Sequence, residues 1–162
     1  MPAVQALILV PTRELAVQVE QEAKTLFKGS GFTVAAVYGG VGYGKQMDAL
    51  RQGVSVVVGT PGRVLDHLLR RTLNLNHISA LIFDEADRML DMGFFDDIMQ
   101  IVKYLPKERQ TIMFSATMPA KIQQLANTIL NNPAEVKLAV SRPADKIVQA
   151  AYVCYENQKL GI

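Results

Sequence analysis

The stretch Ala80-Leu81-Ile82-Phe83-Asp84-Glu85-Ala86-Asp87 runs from four apolar residues directly into a cluster of carboxylates. Apolar side chains at every position, rather than at alternate ones, suit a strand covered on both faces. Adjacent acids at the end of such a strand can position magnesium and polarise water. The first carboxylate holds the metal, usually through water because Mg²⁺ dehydrates reluctantly. The second orients and deprotonates the attacking water. A helix N-cap with dipole-compensating charge uses the same residue types, so the acids alone leave both readings open.

Working outward, apolar runs of the same kind occur at residues 6–10, 33–37, 54–58 and 111–114, with a weaker one at 134–138. Amphipathic segments lie between them. Residues 13–27 place Leu15, Ala16, Val19, Ala23, Leu26 and Phe27 at helical spacing, with Gly29 beyond as a stop signal. Further helices are expected over 44–51, 62–71, 94–104 and 119–130, the first of these ending at Gly53 and the third at Pro106. Strand and helix in repeated alternation mean an α/β fold, a mostly parallel sheet flanked by helices. Ligands of such sheets bind outside the carboxyl ends of the strands. The small and charged clusters fall at that edge: Pro11-Thr12-Arg13, Gly39-Gly40, Thr60-Pro61-Gly62-Arg63, Asp84-Glu85-Ala86-Asp87 and Ser115-Ala116-Thr117. A hydrophobic core needs none of them.

Composition narrows the class. The 162 residues are 49% hydrophobic and 20% charged, with a formal net charge of +2, so bulk charge does not hold this chain to nucleic acid and any such contact depends on local placement. The single cysteine, Cys154, rules out an intrachain disulfide, and no Cys/His cluster has zinc spacing. No apolar run is long enough to span a bilayer, and no signal-type segment opens the chain. A reducing, cytoplasmic setting fits this usage.

Taken together, Asp84-Glu85-Ala86-Asp87, Ser115-Ala116-Thr117 further on, Pro11-Thr12-Arg13-Glu14-Leu15-Ala16 upstream and Thr60-Pro61-Gly62-Arg63 between them resemble the DEAD-box RNA helicase family, in order and spacing. The run Arg88-Met89-Leu90-Asp91-Met92-Gly93-Phe94 is similar to the family's own run just after its acidic motif. The resemblance covers residues 6–158 and implies a RecA-like domain of the phosphate-loop NTPase type, acting with ATP and Mg²⁺ on RNA. It implies that Asp84 holds magnesium through water, that Glu85 is the catalytic base, and that Asp87 ties this site to Ser115 and Thr117, the coupling motif. It implies contacts from Thr12, Arg13, Gly40, Thr60, Gly62 and Arg63 to the RNA sugar-phosphate backbone, which read no sequence. Thr117 is also expected to cap the helix near Pro119. For Arg13 the plain alternative is a solvated charge in a first helical turn, although a cation there opposes the helix dipole. Arg70 and Arg71 read as a solvated last turn, and His67 and His77 carry no partner pattern.

The stretch Gly39-Gly40-Val41-Gly42-Tyr43-Gly44-Lys45-Gln46 imitates a phosphate loop up to its last position, where Gln46 stands in place of the Ser or Thr that ligates magnesium. It also comes after the PTREL motif, whereas the family places its phosphate loop before it. The resemblance therefore implies a chain lacking the phosphate-loop strand, with an apolar sheet edge open to a crystal dimer or an exchanged strand. Residues 1–140 read as part of the first RecA-like domain, 141–146 as a linker, and 147–162 as the start of a second such domain acting in cis. The reading from another class is a catalytically inactive module that binds the RNA backbone.

Overall fold

The computed structural model describes residues 3–137. Five strands, β1 (Ala6–Leu9), β2 (Val34–Val37), β3 (Val56–Gly59), β4 (Ala80–Phe83) and β5 (Gln110–Met113), form one sheet in the order β2-β3-β1-β4-β5. Every pairing is parallel, and the register aligns Val37, Gly59, Leu9, Phe83 and Met113 across the sheet. The residues after these five therefore emerge on one rim. Between the strands lie α1 (Arg13–Leu26), α2 (Gly44–Gln52), α3 (Pro61–Leu69), α4 (Ala86–Asp91) and α5 (Phe95–Val102), with α6 (Ala120–Ile129) after β5.

The apolar residues of β1, β2 and β3 divide between two clusters, and β4 and β5 contribute only to the larger one. Leu7, Leu9, Val37, Val57, Leu81 and Phe83 join Val64, Leu68, Ile98, Ile101, Ile122 and Leu125 in the larger core. Val34, Val56 and Val58 pack against Leu15, Ala16, Val19 and Ala23 of α1 in the smaller one. Fully burying side chains of this size contributes about 1.5 to 3 kcal/mol each, so the strands that carry such side chains on both faces anchor the fold. β3 is buried along its length, whereas no residue of β5 is fully buried. β5 also forms the sheet's edge among the described residues.

Three expectations change. Leu26 sits in the last turn of α1 and is 79% exposed, so the buried stripe closes with Ala23 and Phe27 instead. Helix α4 lies inside the acidic motif, where a short segment buries only Ala86 and Met89 and leaves no periodic run to detect. Residues 134–137 form no strand, and Val136 is 84% exposed. A strand is made by its hydrogen-bonded partner, and the sheet's described pairings do not include this segment. One compact unit ends at Asn132. The expected linker at 141–146 and strand at 147–155 fall outside the described residues.

Candidate functional site

The carboxyl rim gathers all eleven residues singled out from the sequence, because parallel alternation forces each post-strand loop to the same edge. The ladder continues into those loops: Val10 N–H donates to Gly59 O (3.0 Å), Thr60 to Val37 O (3.1 Å), Asp84 to Leu9 O (3.0 Å) and Phe114 to Phe83 O (2.8 Å). The strand order reverses between β1 and β4, so Thr12 and Arg13 stand on one side of the switch point and Asp84 and Glu85 on the other.

On the β4–β5 side, the half-buried Asp84 leads into Glu85, whose backbone is left-handed with φ 52°. That conformation costs a non-glycine residue about 1 to 3 kcal/mol, and it turns the chain sharply from β4 into α4. Glu85 Oε2 pairs with Arg88 Nη1 at 3.1 Å, in partial contact with solvent. Asp87 then bridges to β5's loop: its Oδ2 accepts from Thr117 N–H (3.0 Å) and Thr117 Oγ1 (2.7 Å). Ser115 Oγ accepts from Asp87 N–H (3.2 Å) and donates to Thr117 O (2.7 Å). Burial pushes the Asp87 carboxyl upward, but hydrogen bonds from Thr117, the Arg88 amide and Ser115 outweigh it and hold the group below its ordinary value. Thr117 does not cap α6. The cap position belongs to Pro119, whose ring offers no side-chain acceptor, and the Thr117 hydroxyl is committed to Asp87.

On the β2–β3–β1 side, Thr12 caps α1 by accepting from Leu15 N–H at 3.3 Å. Arg13 is exposed beside Glu14, and its Nη1 lies 3.9 Å from where a Cβ on Gly40 would stand. Gly40 itself has φ 79°, a conformation that glycine adopts without strain. Thr60 and Gly62 sit at the start of α3, with Phe94 and Asp97 facing Gly62. The carboxyl of Asp97 is held above its ordinary value by burial and then by Asp96 and Asp66.

Arg63 behaves differently from the plain surface cation that its position suggests. It is only 9% exposed, its Nη2 donates to Val41 O at 2.8 Å, and its guanidinium lies 4.1 Å from the centre of the Tyr43 ring. Arg70 stacks over the same ring at 4.4 Å, so it is more than a solvated last-turn charge. Tyr43 Oη donates to Asp66 Oδ2 at 2.8 Å. His67, which the sequence left without a role, is fully buried beside them, with Nδ1 2.8 Å from Thr72 Oγ1 and Nε2 3.3 Å from Gln46 Oε1. Burial, then Arg63, lowers its pKa. Thr72 Oγ1 also donates to His67 O at 3.1 Å, so the ring and its own backbone carbonyl share one hydroxyl. Gln46 in turn donates to Tyr38 O at 3.0 Å and is buried, so the imitation phosphate loop ends in a structural residue. The spacing Arg63, His67, Arg70 puts three basic side chains on one face of α3, a periodic signal readable from the sequence.

Among the described residues, no group of three or more His, Cys, Asp or Glu side chains could enclose a metal, and no helix is long and apolar enough to cross a membrane. Asp84 offers a single carboxylate at the rim. That suits Mg²⁺, which keeps several waters and takes phosphate oxygens alongside one or two carboxylates.

A family model for the DEAD/DEAH box helicases matches residues 1–125. The chain is similar to the DEAD-box ATP-dependent RNA helicase CshA of Bacillus subtilis, 42% identical over 158 residues that make up 98% of this chain and 32% of that protein. CshA of Listeria monocytogenes, an ATP-dependent RNA helicase, is 44% identical over 160 residues, 98% of this chain and 31% of its own. The ATP-dependent RNA helicase DeaD of Buchnera aphidicola is 52% identical over 137 residues, 84% of this chain and 23% of its own. The chain thus spans about a third or less of the length of these curated relatives.

Proposed function

Because the chain belongs to the DEAD/DEAH box helicase family, we propose that it forms the water-activating and RNA-facing part of an ATP-dependent RNA helicase, coupling ATP hydrolysis to duplex unwinding. The observation that supports this most is the bridge from Asp87 to Ser115 and Thr117, at the same rim as Thr12, Arg13 and Gly40. One carboxylate there joins the acidic turn after β4 to the loop after β5, so a change at Glu85 can reach the next strand through the α4 backbone and the bonds of Asp87.

In this reading Asp84 would hold Mg²⁺ through water, and the ion when bound would supply charge neutralisation at the transferred phosphoryl group. Glu85 accepts the proton of the attacking water, and Arg88, paired with it, fixes the carboxylate's direction. Thr12, Arg13, Gly40, Thr60 and Gly62 present hydroxyl, guanidinium and backbone N–H donors to the RNA backbone, with Arg63 supporting them from beneath; base edges are not read. Residues 1–140 form part of a first RecA-like domain, 141–146 a linker and 147–162 the start of a second such domain acting in cis, all in the cytoplasm. The outer side of β5 is the place for a further strand, including one exchanged with a second copy.

The test is RNA-stimulated ATP turnover in a longer protein that carries this chain together with a phosphate loop. Glu85→Gln is expected to lower kcat by about 10²- to 10⁴-fold, with RNA binding retained. DNA of the same sequence is expected to stimulate poorly, since the 2′-hydroxyl distinguishes the two. Full turnover by Glu85→Gln, or equal stimulation by DNA, overturns the proposal, and RNA binding without turnover leaves the chain a binding module.

A further inference from the structure

The β2–α2 loop at residues 38–43 carries Gly40 next to Arg13, yet little within that loop holds its shape. Gly39, Gly40, Val41 and Gly42 are all exposed, and they offer no side chain that packs. The anchor is Tyr43. Two guanidinium groups stack on its ring, Arg63 at 4.1 Å and Arg70 at 4.4 Å from the centre, with the His67 ring edge-on at 5.6 Å. Its hydroxyl is tied to Asp66 at 2.8 Å. Every one of those partners comes from α3 or the residue just after it. Arg63 closes the clamp from the other end, donating Nη2 to Val41 O at 2.8 Å, while its Nη1 is buried without a partner among the described residues. A cation stacked on an aromatic face and shielded from water is held more firmly than an exposed one.

From this geometry we infer that Tyr43 is a positioning residue for RNA binding, fixing the 39–42 loop on the start of α3 so that Gly40 and the Thr60–Gly62 turn address the backbone as one preformed surface. The inference rests on the RNA reading given above. Tyr43 touches no phosphate in this scheme and acts through the pose of the loop, whose ordering would otherwise be charged against binding. Two arginines stacked on one ring also repel each other, and Asp66 supplies the compensating charge beside them.

The experiment titrates single-stranded RNA against the 162-residue chain at several low salt concentrations. Affinity, its salt slope and amide exchange at residues 40–43 are read for Tyr43→Leu, Tyr43→Phe and Arg13→Gln. Tyr43→Leu keeps apolar volume but loses the ring face, and is expected to bind about tenfold more weakly. Its salt slope should be unchanged and its loop exchange faster. Tyr43→Phe keeps the ring against the guanidiniums and is expected to restore most of the affinity. Arg13→Gln tests the underlying reading separately, since loss of one phosphate contact lowers the slope by about 0.7 for a single strand. If the unsubstituted chain binds no RNA, or Arg13→Gln changes nothing, the RNA reading fails and takes the inference with it. If Arg13→Gln behaves as expected and Tyr43→Leu binds normally, or lowers the slope, the inference alone is overturned. Should Tyr43→Leu not fold, Arg70→Gln decides through an exposed side chain. Faster exchange at 41–43 supports the clamp and unchanged exchange refutes it.

Discussion

The two halves of the rim are built in opposite ways. On the β2–β3–β1 side, polar residues are sunk into the fold: His67 is fully buried, Gln46 is 7% exposed and Arg63 9%, each with hydrogen-bond or stacking partners. On the β4–β5 side, residues 116–120 are all exposed, with Phe114 57% and Met118 45% exposed. There, the side chains of Asp87 and Ser115 fasten Thr117. Segments with few buried apolar contacts open at lower free energy than packed ones. The comparison teaches that one half of the rim is shaped by buried polar partners before anything binds, whereas the other is held mainly by exposed hydrogen bonds that can be made and broken locally.

The largest effect expected of this contrast is on stability. A Cβ added to Gly59, the last residue of β3, would stand 2.5 Å from Val64 Cγ2, 2.7 Å from Val37 Cγ2 and 2.8 Å from Val37 O. The backbone oxygen cannot move aside without breaking the ladder to Thr60. Gly59→Ala is therefore expected to destabilise the chain by about 1 to 3 kcal/mol. Phe114→Ala, on the open half, is expected to change stability by about 0.5 kcal/mol or less. Urea denaturation of both variants checks this, and equal losses would erase the distinction between the halves.

The sheet and its rim were legible beforehand, for identifiable reasons, whereas the contrast between the halves was not. Val56, Val57 and Val58 advertise a two-sided strand because no polar residue interrupts them, and alternation of strand and helix leaves a parallel sheet with one functional rim. The placement of Asp84, Ser115, Thr12 and Gly40 came from topology. What stayed hidden depends on partners distant in sequence. Residues 134–138 are apolar enough for a strand, but sequence does not say whether a neighbour will pair with them. Thr117 is a residue type that caps helices and stands just before α6, and only the approach of Asp87 from α4 shows that its hydroxyl is taken. Tyr43 and Arg63 are separated by a helix and a strand, so their stacking could not be read off, although the period of Arg63, His67 and Arg70 pointed to a shared face.

A smaller effect separates the halves by pH. His67 is held neutral in the folded chain, its pKa lowered by burial first and by Arg63 second. Below the ordinary value of 6.5 the unfolded chain binds a proton that the folded chain resists, so stability falls as pH drops through 6.5 and continues to fall until the lowered value is reached. His67→Gln removes the titrating group, and is expected to flatten the stability profile between about pH 7 and 5, the range over which an ordinary histidine titrates. Chemical denaturation at a series of pH values measures it. A profile with the same slope in both chains would mean that His67 is not the group protecting the packed half.

The open half should stay indifferent over that range and respond only in acid. Asp87 is opposed by burial but stabilised as the anion by Thr117, Arg88 and Ser115, so its folded value lies below the ordinary 3.8. A depressed carboxyl contributes above the unfolded value, and its contribution disappears as pH falls through the folded one. Because the group is near solvent, the global effect on stability is small, and the local one is what can be tracked. The Thr117 amide, which donates to Asp87 Oδ2 at 3.0 Å, is expected to shift in an NMR titration with a midpoint below that of an ordinary aspartate. In Asp87→Asn the same titration should be flat while the Tyr43 and His67 resonances hold their positions. If those resonances move with Thr117, the Asp87 bonds and the clamp belong to one cooperative unit, and the division of the rim into a preformed half and a responsive half is wrong.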